Sequence, residues 1–263
     1  MNEKTILSTF DFNQFKKTLQ SGGLKEDIYI VSDMLENNPL LDEILWMKGN
    51  ALAIIDVQSM SYPLILGDVE QVCGWTKEHC HQVGIEGYVA QFLPDSFWGL
   101  NQVFSLINQY VATLNKEQLK QFKSIYDYEM KGGDGSIRRI LEENIALKTN
   151  QEGQIIHFLA YISKISHLKS EGKQHIHLSG GNKARLFELN HRLHTIEELV
   201  LPSKRELEVA LLLGKGFISE AIAQQLFISV HTVNTHRQNL LRKLRMSDAT
   251  ELINFLKLYR IIV

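Results

Sequence analysis

The sequence predicts an α+β protein: an N-terminal antiparallel sheet with helices, and a C-terminal all-α unit of four helices containing a helix-turn-helix. Three observations predict it. From Ala51 to Ser166, apolar runs of strand length are separated by turn residues, and Gly132-Gly133-Asp134-Gly135 parts two of them as a hairpin turn. From Leu201 to Val263 the pattern turns helical, with helix caps at Ser203, Ser229 and Asp248. Charge divides at the same place. From Leu199 onward nine Lys/Arg meet five Asp/Glu, a net of +4, which leaves −6 for the first 198 residues.

Four segments follow from these patterns. Residues 1–50 read as a helical extension, with Asp11 as a cap, a break at Gly22-Gly23, and an apolar-periodic run from Ile28 to Met47 in which Pro39 ends or restarts a helix. Residues 51–168 carry the sheet. Ala51 to Val57 and Tyr62 to Glu70 are two strands, Thr76-Lys77-Glu78 opens a short helix, and Phe97 to Leu114 is a longer one. Ser124–Lys131, Ser136–Lys148 and Ile155–Ser166 complete the strands. Residues 169–198 form a connector with its own hairpin, Gln174–Ser179 and Ala184–Leu189 about Gly180-Gly181-Asn182-Lys183, and residues 199–263 form the helical unit.

In the helical unit, Ser203 to Glu206 and Asp248 to Glu251 are capping boxes, where a short oxygen side chain and a Glu three residues on cap each other's amides. Gly214 and Gly216 break the first helix, Ser219 opens the second, and Phe227-Ile228 make a tight turn into Ser229, the cap of a third helix from Val230 to Leu244. At 100° per residue, Val233, Leu240, Leu241 and Leu244 share one face of that helix. The opposite face holds His231, Asn234, Thr235, Gln238, Arg242 and Arg245 and no acid. Asn and Gln pair bidentately with adenine, Thr meets a thymine methyl, and Arg reaches guanine or phosphate. These types together point to a helix that reads double-stranded DNA.

Residues 201–263 resemble the C-terminal domain of LuxR-type transcription regulators, through Leu201, Ser203, Arg205-Glu206, Glu208-Val209, Gly216, Ile222-Ala223, Leu226, Ile228-Ser229, Thr232-Val233, His236, Asn239 and Lys243-Leu244. The resemblance implies that the third helix enters the major groove and that Thr232 and His236 touch the DNA backbone. It also implies a homodimer through the last helix, whose apolar stripe is Leu252, Phe255, Leu256 and Tyr259. Asn234, Thr235, Gln238 and Arg242 are assigned base or groove contacts, and Thr232, His236, Asn239 and Lys243 backbone positioning. Ser229, His231 and Arg245 complete the expected DNA-binding set. Asn234 stands where the family commonly has Lys, and Ala221 where it commonly has Glu.

The order of two strands, a helical middle and three strands resembles a PAS domain. Gly74-Trp75 is similar to that family's Gly-Tyr, Leu93-Pro94-Asp95 to its His-Pro-Asp, and Asp134-Gly135-Ser136 to its Asp-Gly-Ser turn, while Lys164 replaces the closing Asp. The fold class is therefore a PAS-like antiparallel sheet with helices, followed by the helix-turn-helix domain. The resemblance implies a domain that senses a signal or mediates dimerisation, with a small molecule between sheet and helices. Trp46, Trp75, Phe92, Phe97, Trp98 and Phe104 are residues that line such a pocket or pack the core.

The reading is of a sequence-specific transcription regulator, not an enzyme, with DNA, a second copy, a small-molecule ligand and RNA polymerase as its partners. No cofactor or metal is expected: His79-Cys80-His81 point in different directions and lack a second ligand pair. No motif supplies a nucleophile, an acid-base pair or a phosphate-cradling loop. Asp56 at a strand end raises phosphorylation of a response regulator as an alternative, against which stands the lack of βα alternation. A sigma-factor-like protein, or a receptor or signalling protein using its basic tail only for localisation, are the others. No apolar run reaches the ~20 residues of a membrane helix, and no signal-peptide pattern opens the chain. With Cys73 and Cys80 too few for a disulfide framework, a reducing cytoplasm is expected, without a membrane.

Overall fold

The computed structural model describes residues 39–150, 152, 154–169 and 172–262. The helices expected before Pro39 lie outside these. The chain divides into two compact units, Met1–Ala184 with Leu189–Thr195, and Arg185–Glu188 with Ile196–Val263.

The first unit begins with α1 (Pro39–Met47), which Pro39 starts, followed by β1 (Asn50–Asp56) and β2 (Ser61–Gly67). The expected second strand runs too long. Asp68 accepts from the Gln71 amide and caps α2 (Val69–Cys73), so Val69 and Glu70 belong to a helix. Thr76 caps α3 (Lys77–Val89), Pro94 opens α4 (Pro94–Val111), and Asn115 with Gln118 forms a capping box on the short α5 (Lys116–Leu119). The strands β3 (Lys123–Lys131), β4 (Ile137–Thr149) and β5 (Ile155–Lys164) then follow as the PAS resemblance implies.

The 169–198 stretch holds three strands, the two of the hairpin, β6 (Gln174–Ser179) and β7 (Arg185–Asn190), and β8 (Thr195–Leu199) where a lead-in was expected. The sheet order is β2-β1-β5-β4-β3-β6-β7-β8. β1 pairs antiparallel with β2 and β5, β4 with β3 and β5, and β3 with β6. The last strand was hidden because Thr195 to Glu198 are exposed and lack apolar alternation.

Period-2 alternation divides β1 between two environments. Leu52 and Ile54 pack with Leu45, Leu64 and Leu66 under α1, while Ala51, Ala53 and Ile55 line a cavity on the other face. Asp42 fixes α1 by accepting from the Gly67 amide at 2.6 Å and pairing with Lys77 at 3.0 Å. Two stretches singled out in the sequence meet. The Gly133 amide donates to Cys73 O, and a Cβ on Gly133 would stand 1.9 Å from Gly74 O, so only glycine admits this approach. Arg138 closes the junction, donating to Glu70 O and Gln71 O at the end of α2 and to Asp134.

In the second unit, α6 (Lys204–Gly214), α7 (Ser219–Leu226), α8 (Val230–Leu244) and α9 (Ala249–Leu258) are the four expected helices. Val209, Ile222, Ala223 and Val233 form the centre where α6, α7 and α8 meet. Phe227, in the left-handed region at φ 54°, ends α7 and makes the turn. Arg205 donates to Leu226 O, satisfying a carbonyl that the end of α7 leaves open.

Candidate nucleic-acid interface and buried cavity

The third helix of the second unit sorts its residues as the wheel predicts. Val233, Leu240 and Leu244 are fully buried and Leu241 is half-buried. The opposite side lines a shallow open depression with six polar side chains: His231, Asn234, Thr235, Gln238, Asn239 and Arg242. No carboxylate stands among them. Ser229 starts the helix by accepting from the Thr232 amide at 3.0 Å, and its hydroxyl lies 2.8 Å from that of Thr232. Ser229 therefore serves as a cap first.

Several of these side chains are held by neighbours. Asn234 Oδ1 accepts from Ser219 Oγ at 2.9 Å, and Arg237 donates to that same hydroxyl at 2.7 Å. The amide of Asn234 is thereby oriented with its NH2 outward. Thr235 Oγ1 donates back to His231 O at 3.0 Å, leaving its methyl to meet a base. Arg242 donates to Asn239 at 3.0 Å, which sets the direction of its guanidinium. Gln238 is exposed at the centre of the row, and His236 is half-buried beside it. Arg237, not singled out in the sequence, is the positioning residue of this face. Its signal was only a basic residue between the two faces.

Two expected DNA contacts, Lys243 and Arg245, have carboxylate partners within the chain. Lys243 pairs with Glu206 at 2.6 Å, and the Glu206 side chain is 4 % exposed. Burial raises the Glu206 carboxyl, but Lys243 and the Ser203 cap outweigh this and hold it below its usual range. Lys243 thus joins α8 to the first turn of α6. Arg245 ends α8 in the left-handed region at φ 59° and pairs with Glu188 at 2.7 Å and with Glu197. Its hydrogen bonds to the carboxylates of Glu197 and Glu188 push its pKa up. The wheel placed Arg245 on the polar face by assuming that the helix continues; the αL turn takes it off that face.

The expected dimer stripe packs within its own unit. Leu252, Phe255, Leu256 and Tyr259 are 0 to 5 % exposed within a single chain, with the Phe255 and Tyr259 rings 4.7 Å apart. Their apolar surface is committed to the unit's own core. A partner would have to meet other positions of α9, such as the half-buried Ile253, Asn254 and Leu258.

The cavity of the first unit measures about 100 Å³ and lies between the sheet and α2, α3 and α4. Of the six aromatic residues considered for it, Phe92 and Phe104 line it. Phe97 is buried elsewhere, Trp75 stacks on His79, Trp98 stacks on His194, and Trp46 is 64 % exposed. Its polar wall consists of residues the sequence did not single out. Tyr126 faces Glu142 and Ser124 faces Asn144 as cross-strand partners on β3 and β4. Tyr126 donates to Glu142 Oε1 at 2.6 Å, Tyr128 to Oε2 at 3.0 Å, and Asn144 Nδ2 to Oε1 at 2.8 Å. Burial foremost, and then the Glu142 charge, push the Tyr126 phenol well above its usual range. The available signal was polar residues at alternate positions of two strands joined by a hairpin.

On the other face of β3, Asp127 is fully buried and accepts from Arg139 Nε at 2.6 Å and from the His175 amide at 2.8 Å, with Lys169 at 3.0 Å. These bonds satisfy a buried charge. Asp56 is a turn residue, accepting from Gln58 N and from Ser59 N and Oγ. It thus fills the role of a strand-end turn Asp, and the consecutive strands β3 to β5 replace the βα alternation that a phosphorylated receiver needs. In His79-Cys80-His81, Cys80 is buried and His79 stacks on Trp75 at 4.0 Å, so the three side chains diverge. Both cysteines are buried free thiols. Among the described residues, no group of three or more His, Cys, Asp or Glu could hold a metal ion. Nor is any described helix long and apolar enough to cross a membrane.

An α+β unit around a cavity and a four-helix unit with an acid-free polar face define a two-part protein with a helix-turn-helix. Residues 201–256 match the family model described as bacterial regulatory proteins, luxR family, and carry a LuxR-type helix-turn-helix domain. The same region is similar to the oxygen regulatory protein NreC of Staphylococcus carnosus (strain TM300), 42 % identical over 53 residues, covering 20 % of this chain and 24 % of that protein. NreC of Staphylococcus aureus (strain JH9) is 37 % identical over 62 residues, 24 % of this chain and 29 % of that protein. The chain thus spans about a quarter of the length of these curated relatives.

Among solved structures, a phage VqmA-DPO complex overlays 89 % of this chain and 93 % of its own at TM-score 0.31 and 14 % identity. The N-terminal domain of a diguanylate cyclase with PAS/PAC sensor from Marinobacter aquaeolei overlays 45 % of this chain and 96 % of its own at TM-score 0.35 and 18 % identity.

Proposed function

We propose that this chain is a cytoplasmic, sequence-specific DNA-binding transcription regulator whose PAS-like N-terminal domain senses a signal. The carrying observation is the depression on α8, where His231, Asn234, Thr235, Gln238, Asn239 and Arg242 meet without a single acid. Side chains of both donor and acceptor type on an exposed helix suit base edges in a major groove, and a carboxylate among them would repel phosphate. Asn234, Thr235, Gln238 and Arg242 make the base or groove contacts, and Thr232, His236 and Asn239 the backbone contacts. The chain acts by binding, not by catalysis. It binds as a homodimer, with the outward positions of α9 as contacts, and the site it occupies decides whether RNA polymerase is recruited or excluded.

The test is selection from a random duplex library with the full chain and with the Gln238→Ala variant. Enrichment of two related half-sites by the wild type, with preference relaxed at one base pair in the variant, supports the proposal. Recovery of unrelated sequences by both removes it.

A further inference from the structure

The polar wall of the cavity leaves two atoms over. Ser124 and Asn144 are 0 and 5 % exposed, line the cavity as cross-strand partners, and have Oγ and Oδ1 without a hydrogen-bond partner among the described residues. An unmade hydrogen bond at a buried atom is costly, so two side by side on an apolar cavity call for an explanation.

Chemistry fixes which way these atoms face. Glu142 accepts hydrogen bonds from Tyr126, Tyr128 and Asn144 Nδ2. The Asn144 amide cannot be turned round, because its oxygen would then oppose the carboxylate. Its Oδ1, an acceptor only, is left without a partner in the cavity wall. The Tyr128 proton points at Glu142, so Tyr88, 2.9 Å away, donates to Tyr128. Every proton of the tyrosine cluster is thereby directed inward. What this network leaves without a partner beside the cavity is one amide acceptor and one serine hydroxyl, with a carboxylate behind them, and Tyr62 and Asn108 are the further polar side chains of the lining.

We propose that this cavity binds a small, uncharged, chiefly apolar molecule that presents an N–H or O–H donor to Asn144 Oδ1 and Ser124 Oγ. The proposal deepens the sensor reading above and rests on it for its role in regulation. A volume of about 100 Å³ is of the order of a single ring and not of a nucleotide. Glu142, already met by three donors, repels an anion and needs no cation. Ala53, Ile65, Val72 and Ile107 supply the apolar remainder.

Isosteric probes test the class on the full chain by ligand-observed NMR titration: phenol against toluene, pyrrole against furan, with benzoate as the anion. Phenol and pyrrole bind about tenfold more tightly than their donor-free partners, and benzoate does not bind. In Ser124→Ala and Asn144→Leu that preference disappears while toluene binding stays. Because its hydroxyl has no protein partner, Ser124→Ala leaves the Tm of the unliganded chain unchanged or raises it, so a binding loss is not a folding loss. Equal binding of phenol and toluene overturns the proposal, as does failure of both donors to bind. A lower Tm of unliganded Ser124→Ala also overturns it, by showing that an enclosed water already satisfies these atoms. Adding phenol to a DNA titration separates the two readings. Tight cavity binding with unaltered DNA affinity keeps the ligand class and removes the sensor role, whereas DNA binding without phenol binding does the reverse.

Discussion

The cavity wall and the outer face of α8 are both rows of largely uncharged polar side chains at the period of their element, yet they are organised by opposite rules. Behind the cavity, water is excluded, and Tyr88, Tyr126, Tyr128, Glu142 and Asn144 must satisfy one another. The informative atoms there are those left over. On α8 water satisfies every group, so a left-over atom means nothing, and the informative fact is the type that is missing, the acid. The same contrast separates residues on α8 itself. Lys243 and Arg245 both read as DNA contacts from the sequence, and each already has a carboxylate partner.

The largest expected effect tests whether α9 keeps its apolar stripe for its own core. Phe255→Ala should cost about 3–5 kcal/mol in urea denaturation followed by circular dichroism, independent of protein concentration. A loss that shrinks as concentration rises would return Phe255 to a dimer contact. Next in size is Lys243→Ala, which leaves the buried Glu206 carboxylate without its cation and should cost about 1–3 kcal/mol of stability. It should not change the slope of DNA affinity against salt; a slope lower by about one would mean that Lys243 grips a phosphate after all.

Acid sharpens the same point. The Glu206 carboxyl is held below its usual range when folded, so its contribution is fully present above the unfolded value of about 4.3 and is lost as pH falls through the folded value. Wild-type stability should therefore drop more steeply across that window than that of Lys243→Ala, and parallel acid curves would discount the pair. The smallest effect concerns the turn. Phe227 is 94 % exposed in the left-handed region, so Phe227→Gly should raise stability by about 0.5–1 kcal/mol in the same denaturation. A loss would reveal a packing role for the ring.

Local rules carried the reading as far as they apply. Caps at Ser203, Ser229 and Asp248, the helical face of α8 and the strands about the Gly132–Gly135 turn were legible because each is set by neighbours in sequence. What escaped depends on contacts between distant residues. The pairing of Lys243 with Glu206 spans 37 positions, that of Arg245 with Glu188 57, and the tyrosine cluster joins α3 to β3 and β4. β8 escaped for another reason: an exposed strand has no apolar face to announce it. The α9 stripe was found correctly as apolar, but periodicity does not say whether such a face meets its own chain or another.

On the proposed reading, the exposed face of α8 reads base sequence while Lys243 stays paired with Glu206. The most direct measurement is a fluorescence-anisotropy titration of the selected duplex and a scrambled one, over a series of salt concentrations, with wild type, Gln238→Ala and Lys243→Gln. Gln238→Ala should lose about 1–3 kcal/mol on the selected duplex and little on the scrambled one, with Lys243→Gln matching the wild-type slope. An equal loss on both duplexes for Gln238→Ala, together with a reduced slope for Lys243→Gln, would contradict the account.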